Sequence, residues 1–439
     1  MLLCFALFLA AVVATLLLDV TLVWAVGLGL VVFTLYGLKK GVALKDMWQA
    51  AWQQGKKMCA VLIIYALIGC ITGLWRSGGT IAFFIYYGTS LMTPRLFLLI
   101  AFLLTCLISY ALGTSFGVVG TAGVILMALG RSGGVDPAIT AGTVLAGAYF
   151  GDRCSPASSS ATLVATATGT KLYDNLVMMR RTGWLPLIVS TVIYGALSFT
   201  HPLQAVDDTL LTALHDAFTL SPLVVIPAAA IVALPLCKVS IRISMAVSAA
   251  CALAVTLFLQ KMPLLAALQT ALLGYHSNGT LGDILSGGGV VSMVECSVLA
   301  IGTGMYAGVL DRLGALDGLR SLARRTAERT GLFAACTASY IVTSAVFCNQ
   351  STGAVVVPQL LAETYHEKGA DDHELAIDME NSGVVISPLI PWNISVSIPL
   401  VMLGASARAI PYAVLLYMIP LCYGLTKRHF YPRKEVHTS

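Results

Sequence analysis

Charged residues are scarce in this chain. They make up 11% of its 439 residues, whereas an average soluble domain has about 25%. Together with a hydrophobic content of 58%, this scarcity excludes an ordinary soluble globular protein. Long hydrophilic segments are missing too, because the longest, residues 363–380, has 18 residues, too few for a separate soluble domain. We therefore predict a single membrane domain that spans residues 1–439.

Sequence motifs of enzymes and of ATP-driven pumps are also missing. The chain has no HExxH, no P-loop and no G-x-S-x-G in a strand-turn-helix setting. Its eleven cysteines lack the spacing of metal ligands. The net charge of +5 comes with basic residues clustered at helix ends, where lipid headgroups account for them. We predict a protein that is not an enzyme, needs no organic cofactor and has no nucleic-acid partner.

Long apolar stretches without any charge take up most of the chain. Each falls within or beyond the roughly 17 to 25 residues that a membrane-spanning helix needs. We predict an all-α polytopic membrane protein with about 10–12 membrane segments, embedded in the lipid bilayer of a bacterial inner membrane. The stretches are residues 20–38, 58–75, 96–130, 182–200, 217–237, 243–260, 330–362, 381–407 and 409–426.

The pattern Gly-x-x-x-Ser-Pro occurs twice inside these apolar stretches, at residues 151–156 and 383–388. Lipid cannot form hydrogen bonds with an opened backbone, so a helix breaks at membrane depth only where protein or a water-filled cavity satisfies the freed groups. Paired breaks in the two halves of a transporter mark the place where substrate binds. The pattern therefore predicts discontinuous membrane helices that meet at a transport site.

Several motifs recur at nearly one offset along the chain, which indicates an internal duplication. Gly73 and Gly308 differ by 235 positions, and the two Ser-Pro pairs by 232. We predict two helical repeats of inverted topology, about residues 1–200 and 217–426; coincidence in a chain with 40 glycines is the alternative. Two further pairs of motifs share the offset: residues 115–117 with 351–353, and residues 134–136 with 369–371.

Hydroxyl side chains follow the first Ser-Pro pair in an uncharged stretch, residues 157–170. Pro156 removes a backbone donor and disfavours helix at the residue before it, which releases carbonyl oxygens near these hydroxyls. Carbonyl and hydroxyl oxygens suit a weakly held alkali cation, and half-helix N-termini suit a carboxylate. The alternative is that small residues only allow close helix packing. The predicted ligands are Asp152, Ser155, Ser158, Ser159 and Thr162, with a sodium ion at Asp152, Ser155 and Ser159.

The second break offers polar side chains of a different kind. Pro388 and Pro391 lie three residues apart beside Trp392 and Asn393, a combination that does not form an ordinary helix. An asparagine both donates and accepts hydrogen bonds, and a tryptophan can close a cavity or stack on a cation. A plain helix kink is the alternative. The predicted ligands from this half are Asn381, Ser387, Trp392 and Asn393.

Charged residues in apolar surroundings need an explanation, because a charge at the centre of a membrane helix costs about 2.5 to 3.5 kcal/mol. Glu295 is predicted to face the interior of the bundle, either with a proton or cation role or in a salt bridge to an arginine. Asp152 is a second such charge, with an ion pair to Arg153 as the alternative. Asp378 and Glu380 are predicted at the membrane edge, and Arg76 as an interfacial anchor.

Three groups of residues carry a resemblance to a known family. They are residues 147–156, residues 381–383 followed by the string Ser-Pro-Leu-Ile-Pro-Trp-Asn at 387–393, and residues 73–75 with 85–88. With these motifs the chain resembles NhaC-type sodium/proton antiporters, within the wider ion transporter superfamily, over most of its length. The resemblance implies a secondary transporter with inverted repeats that exchanges sodium for protons. It also allows sodium coupled to a small organic acid, as in the similar malate/lactate exchangers.

The chain departs from the family pattern at the first break. Family members usually carry Ser-Pro-Leu-Ser-Asp-Thr-Thr-Asn there, so Ser159 stands in place of an aspartate and Thr162 in place of an asparagine. Asn381 stands where an acidic residue is common, and Glu295 where an uncharged one is. Two hypotheses follow: the titratable group has moved to Glu295, or the protein carries an organic solute.

The residues and the resemblance together favour a secondary active transporter that exchanges a monovalent cation for protons by alternating access. The alternative is a sodium- or proton-coupled transporter of a small organic solute, such as an amino acid, an amine or a carboxylate. A channel or passive facilitator is a third class, which paired discontinuous helices disfavour. The expected partners are therefore a small ion or solute and the bilayer, and assembly as a homodimer is left open.

Overall fold

The fold is helical throughout the part of the chain that the computed structural model describes, residues 2–18, 20–91, 93–204, 208–237, 239–277, 280–314 and 317–431. Within these ranges the only β structure is an isolated bridge between Tyr275 and Gly287. The predicted all-α class is thus confirmed.

The α-helices are numbered here in chain order. They are α1 Leu2–Leu17, α2 Val23–Lys39, α3 Leu44–Ser77, α4 Thr80–Leu91, α5 Phe97–Leu112, α6 Ser115–Val118, α7 Val124–Ser132, α8 Pro137–Cys154, α9 Ser159–Thr168, α10 Leu172–Thr200, α11 Asp208–Ala217, α12 Ile226–Leu236, α13 Ile241–Phe258, α14 Leu264–Leu273, α15 Thr280–Leu285, α16 Val294–Arg312, α17 Asp317–Thr330, α18 Leu332–Phe347, α19 Gln350–Glu367, α20 Asp372–Asn381, α21 Gly383–Ile386, α22 Ile394–Leu403 and α23 Val414–Phe430.

Five of the described helices are long and apolar enough to cross a membrane, or eight spans result if each of three bent helix pairs counts as one. The protein is therefore a multi-pass membrane protein, while the predicted number of 10–12 segments stays a prediction. A π-helical turn at Val119–Gly123 joins α6 and α7 into one of the five. The five are Pro94–Leu112, Ser115–Ser132, Leu172–Thr200, Ile241–Phe258 and Val290–Arg312.

Both Ser-Pro pairs lie at interruptions of a helix. Helix α8 ends at Cys154 and α9 begins at Ser159, with Ser155 in an extended conformation between them. In the second copy the helical chain up to Leu389 and helix α22 are bent by 51° at the break. The helix breaks that the motif predicts are therefore present in both halves.

Helix ends with left-handed backbone recur at one spacing along the chain. Gly113, with φ 66°, follows the end of helix α5, and Cys348, with φ 54°, follows the end of α18. The residues that follow, Thr114 and Asn349, have the same φ of −147° and ψ of 124° and 123°. Each pair is 235 positions apart, the offset of the sequence motifs. Left-handed glycines continue the series at Gly79 with Gly314, Gly134 with Gly369, and Gly169 with Gly404.

The glycine of each Gly-x-x-x-Ser-Pro copy is a point of close packing. A Cβ atom on Gly151 would lie 2.0 Å from the carbonyl carbon of Ser109 on α5, and one on Gly383 would lie 1.8 Å from Cγ of Tyr340 on α18. Only glycine permits such approaches. These contacts hold α8 against α5 and α21 against α18. They thereby position the two interruptions.

Candidate functional site

Four helices begin around one cavity, two from each half of the chain. Each begins with a polar cap whose side chain accepts a backbone hydrogen bond, as helix N-termini require. The caps are Thr114 for α6, Ser158 for α9, Asn349 for α19 and Asn393 for α22. Because the first residues of all four helices line the cavity, the interrupted backbone lies beside a cavity, as membrane depth requires.

The cavity has a volume of about 200 Å³, and most of the residues that line it have polar side chains. The hydroxyls and amides come from the first residues after the breaks, and Tyr65 and Tyr149 lie beside them. The remaining lining residues are the apolar Met58, Phe116, Ala300 and Ile394. The polar lining residues are Thr114, Ser115, Asp152, Ser159, Ser160, Asn349, Gln350, Ser351 and Ser395. Oxygen atoms of this kind are suitable ligands for a hard, weakly held cation.

Asp152 is the one carboxylate among the described residues that line this cavity, and none of them is lysine or arginine. It lies in the last turn of α8 and is 5% exposed. The hydroxyl of Ser160 donates to its Oδ2 at 3.0 Å, and Ser115 and Gln350 face the same carboxyl group. The N-termini of α6 and α9 place partial positive charge beside it, which favours negative charge at this point. The cavity therefore presents a single carboxyl group to a ligand.

The residues predicted from the first break divide into a ligand group and a capping group. Ser159 lines the cavity together with Asp152. The Ser155 hydroxyl instead donates to the carbonyl of Tyr110 at 2.6 Å and accepts from the N–H of Ala157 at 3.1 Å. Of the three residues predicted to bind sodium, Ser155 thus does not line the cavity.

Ser158 and Thr162 satisfy the backbone around the same break. The Ser158 hydroxyl donates to the carbonyl of Asp152 and accepts from the N–H of Ala161 at 3.1 Å. The Thr162 hydroxyl donates to the carbonyl of Ser158 at 2.7 Å. Both side chains therefore form hydrogen bonds with backbone groups at the helix interruption. Neither of them lines the cavity.

The four predicted ligands of the second half also bond to the surrounding protein. Asn393 caps α22 through the N–H of Ser395 at 2.9 Å and donates to the carbonyl of Ser344 at 3.0 Å. The Ser387 hydroxyl lies 2.8 Å from that of Ser344 and donates to the carbonyl of Gly383. Trp392 donates to the carbonyl of Ala345 at 2.8 Å. These three residues hold the second break against α18 and do not line the cavity.

The predicted inward orientation of Glu295 is wrong. The structure places this residue exposed in the first turn of α16, on the same outer face as Val291, Val294 and Val298. The inner face of this segment carries Met293 and Cys296 instead. Apolar residues cover both faces of a membrane helix, so the apolar neighbours of Glu295 did not indicate which face it occupies.

Arg153 and Asn381 join the two halves through a buried hydrogen bond. Arg153 is fully buried, and its Nη2 donates to Oδ1 of Asn381 at 2.6 Å, to Oγ1 of Thr182 at 2.9 Å and to the carbonyl of Met179 at 3.1 Å. No ion pair between Asp152 and Arg153 is present among the described residues. Asp152 is thereby left to the cavity, and Asn381 has a structural partner.

The prediction of a solvated position at the membrane edge for Asp378 and Glu380 is wrong, because both residues are fully buried. Asp378 accepts from the hydroxyls of Tyr365 at 2.6 Å and Tyr423 at 2.8 Å, and from Lys427. Neither carboxyl oxygen of Glu380 has a hydrogen-bond partner in the described structure. The contacts of Asp378 thus stabilise the packing of α20 against α23, while Glu380 interacts with the charge of Arg153 without a hydrogen bond.

Replacing Asn381 with Ala should destabilise the protein. The change removes one of three acceptors of a buried guanidinium, and a hydrogen bond to a charged group is worth about 1.5 to 3 kcal/mol. We expect the thermal melting midpoint of the purified Asn381→Ala protein in detergent to lie several degrees below that of the wild type. The separate variant Asn381→Asp should melt near the wild type, because a carboxylate accepts the same hydrogen bond. An Asn381→Ala protein that melts like the wild type would show that the bond between the halves does not contribute.

Sequence analysis did not single out several of the lining residues, namely Ser115, Ser160, Asn349, Gln350 and Ser395. Ser115 and the motif at 351–353, which directly follows Gln350, are recognised in the sequence only as marks of the duplication. Their signal was the offset itself, because residues that recur at equivalent points of two halves come together where the halves meet. Ser160 and Ser395 follow the predicted ligands by one or two positions.

Comparison with known proteins gives a family match over nearly the whole chain. The model of the Na+/H+ antiporter family matches residues 1–199 and 148–426. The chain is similar to the Na+/H+ antiporter NhaC of Alkalihalophilus pseudofirmus, with 28% identity over 403 residues, which cover 89% of this chain and 86% of the relative.

Two other relatives carry names that include organic substrates. The malate-2H+/Na+-lactate antiporter of Bacillus subtilis is 25% identical over 441 residues, covering 98% of this chain and 94% of the relative. The arginine/ornithine antiporter ArcD of Halobacterium salinarum is 25% identical over 346 residues, covering 76% of this chain and 70% of the relative. These relatives are all named as antiporters, and their names differ in the ions or solutes exchanged.

Proposed function

The chain belongs to the Na+/H+ antiporter family, and from this premise we propose that it exchanges sodium or another monovalent cation for protons by alternating access at the Asp152 cavity. The family and the antiporters among its relatives make it a secondary antiporter and not an enzyme. The observation that carries the proposal is a single carboxylate in a polar cavity at the meeting point of four helix N-termini.

The size and chemistry of the cavity suit a small cation. One water molecule needs a cavity volume of roughly 10 to 15 Å³. The cavity volume of about 200 Å³ therefore accommodates an ion with part of its hydration shell. Asp152 and Ser159 from the predicted sodium site would hold the ion, with the hydroxyls of Ser115 and Ser160 beside them.

Competition for one carboxylate couples the two ions. A proton and a sodium ion each neutralise Asp152, and the two cannot neutralise it together. A bare charge at membrane depth costs about 2.5 to 3.5 kcal/mol on insertion scales, so the loaded, neutral site is the form that changes its access most readily. Each change of access then moves either one cation in one direction or one proton in the opposite direction, and the alternation of the two amounts to exchange.

Two inverted repeats, about residues 1–200 and 217–426, would supply the moving parts. The proposal is supported by helix ends that recur at a spacing of 235 positions and by the cavity, to which each half contributes two helix N-termini. Rocking of one repeat against the other around a fixed site is the usual form of alternating access. The bacterial inner-membrane location and the homodimer stay predictions.

Proteoliposomes that contain a pH-sensitive dye test the proposed exchange. With an acidic interior, sodium or lithium chloride added outside should make the interior more alkaline, because protons leave as the cation enters. Choline chloride at the same concentration and liposomes without protein are the controls. If sodium, lithium and potassium all leave the dye signal at the level of choline, cation/proton exchange is not the function.

A small organic solute is the second candidate, and the room in the cavity beyond a bare ion favours it. Many of the lining groups are hydroxyls and amides, which hydrogen-bond organic groups as readily as they ligate a cation. Malate, lactate, arginine and ornithine occur in the names of relatives. A thermal-shift screen distinguishes the candidates, because a ligand at 100 times its Kd stabilises the folded state by about 2.7 kcal/mol. Stabilisation by an amino or organic acid, with a silent sodium assay, would favour this candidate.

A further inference from the structure

A second polar cavity lies at the other end of the helices that line the Asp152 cavity. Helix α3, the continuous α6–α7 segment and helix α22 contribute residues to both cavities. Along α3, Tyr65 lines the first cavity, and Ile68, Thr72 and Arg76 line the second. Arg76 follows Tyr65 by eleven positions, or about 16 Å at 1.5 Å per residue. The second cavity also has a volume of about 200 Å³ and shares no lining residue with the Asp152 cavity.

Two arginines at helix C-termini face this second cavity. Arg131, in the last turn of α7, donates through Nη2 to the carbonyls of Leu403 at 3.0 Å and Gly404 at 2.7 Å. Arg76, in the last turn of α3, donates through Nη1 to the carbonyl of Thr72 at 2.9 Å. Capping of helix ends accounts for these bonds. It does not account for the Nε of Arg76, which is shielded from solvent and has no hydrogen-bond partner.

Among the side chains that the structure describes, those that line the second cavity carry positive charge only. The two guanidinium groups repel each other, and among the residues whose side chains the structure describes, no aspartate or glutamate lines the wall. Burying charge without a partner is costly. A bound anion would supply both the missing acceptor for Nε and the missing negative charge. Arg76, predicted as an interfacial anchor, thus has the environment of a ligand-binding residue.

We propose that the second cavity binds a small carboxylate anion between Arg76 and Arg131. The two oxygens of a carboxylate match the fork of N–H donors on a guanidinium group, and the hydroxyls of Ser286 and Ser292 lie in the same wall. Apolar residues such as Met127 and Met293 complete it and suit a short carbon skeleton. The volume is below the roughly 300 to 1,000 Å³ of sites for drug-sized ligands, which limits the anion to a few carbon atoms.

Binding of radiolabelled malonate to the purified full-length protein in neutral detergent tests this site. The wild type should bind malonate saturably, and Arg76→Gln and Arg131→Gln should each weaken binding at least ten-fold. Arg76→Lys keeps the charge and should lose less. Arg242→Gln, a matched change at an exposed arginine of α13, should bind malonate as the wild type does, since this residue lies outside the cavity.

A second measurement needs no variant. Malonate should protect Arg76 and Arg131, but not Arg242, of the wild-type protein from phenylglyoxal, with the modified residues identified by mass spectrometry. Equal binding by wild type and both glutamine variants, or displacement of malonate by equimolar chloride, would overturn the proposal. Displacement by phosphatidylglycerol would also overturn it, since the arginine pair would then bind a lipid phosphate. Absence of saturable malonate binding to the wild type would contradict it directly.

Discussion

Replacing Asp152 with Asn should reduce cation-driven proton exchange by at least about 100-fold, the loss expected when a group that carries the transported proton is removed. Asn has nearly the shape of Asp and still accepts the hydrogen bond from Ser160, but it neither binds a proton nor neutralises a cation. The measurement is the initial rate of the dye signal in proteoliposomes with equal amounts of each protein. The thermal melting midpoint should change little, because packing is conserved.

Asp136 offers a matched control on the same helix. It caps the N-terminus of α8, is exposed, and accepts the N–H of Ala138 at 2.7 Å. Asparagine is an equally good N-cap, so Asp136→Asn should transport as the wild type does. If Asp152→Asn keeps more than about a tenth of the wild-type rate, a loss of under 1.4 kcal/mol, then another group carries the proton.

The glycines of the two Gly-x-x-x-Ser-Pro copies should be the positions least tolerant of added volume. A Cβ on Gly151 meets the backbone of Ser109, and one on Gly383 meets the ring of Tyr340. Overpacking usually costs about 1 to 3 kcal/mol, and contacts near 2 Å with backbone atoms exceed that range, against a total stability of about 5 to 15 kcal/mol. We expect Gly151→Ala and Gly383→Ala to lose most monodisperse protein in gel filtration.

The change at Gly383 should have a further effect on transport. Tyr340 donates its hydroxyl hydrogen bond to the carbonyl of Gln350 at 3.1 Å, and Gln350 lines the Asp152 cavity. A displaced ring would therefore move a cavity residue, so any Gly383→Ala protein that folds should exchange more slowly.

Gly195 provides the control for both glycines. It lies within α10, and an added Cβ there would meet no atom within 4 Å. Gly195→Ala should be neutral or stabilise the protein by about 0.4 to 1 kcal/mol, because alanine restricts the unfolded chain. Should Gly151→Ala melt within about 2 °C of this control, a difference of less than about 1 kcal/mol, the packing of α8 against α5 would be more adaptable than the structure shows.

The sequence predicted the helical fold and the two interruptions better than the roles of the residues around them. A serine or asparagine after a break has the same pattern whether it binds an ion or caps a helix. Ser155, Ser158 and Asn393 were therefore predicted as ligands, although all three satisfy backbone groups. Asp152 was recognisable because an unpaired charge in apolar surroundings requires a reason.

Residues that approach from distant parts of the chain could not be predicted in the same way. Ser115 and Gln350 come from the starts of α6 and α19, whereas Asp152 comes from the Ser-Pro interruption after α8. No local sequence pattern indicates that these parts of the chain meet. The orientation of Glu295 failed for a different reason. In lipid the outer face of a helix is as apolar as the inner one, so periodicity does not tell them apart.

The α5–α6 and α18–α19 junctions, which are otherwise equivalent, differ in one respect that bears on the resting state of the transporter. The first uses Gly113 for its left-handed turn, whereas the second uses Cys348. A side chain in that conformation costs about 1 to 2 kcal/mol, which glycine avoids. An energy of this size corresponds to a population ratio of roughly 5 to 30. Any state of the cycle that relaxes the Cys348 backbone gains that factor, so two halves with matching helix ends need not leave the empty transporter equally open to the two sides of the membrane.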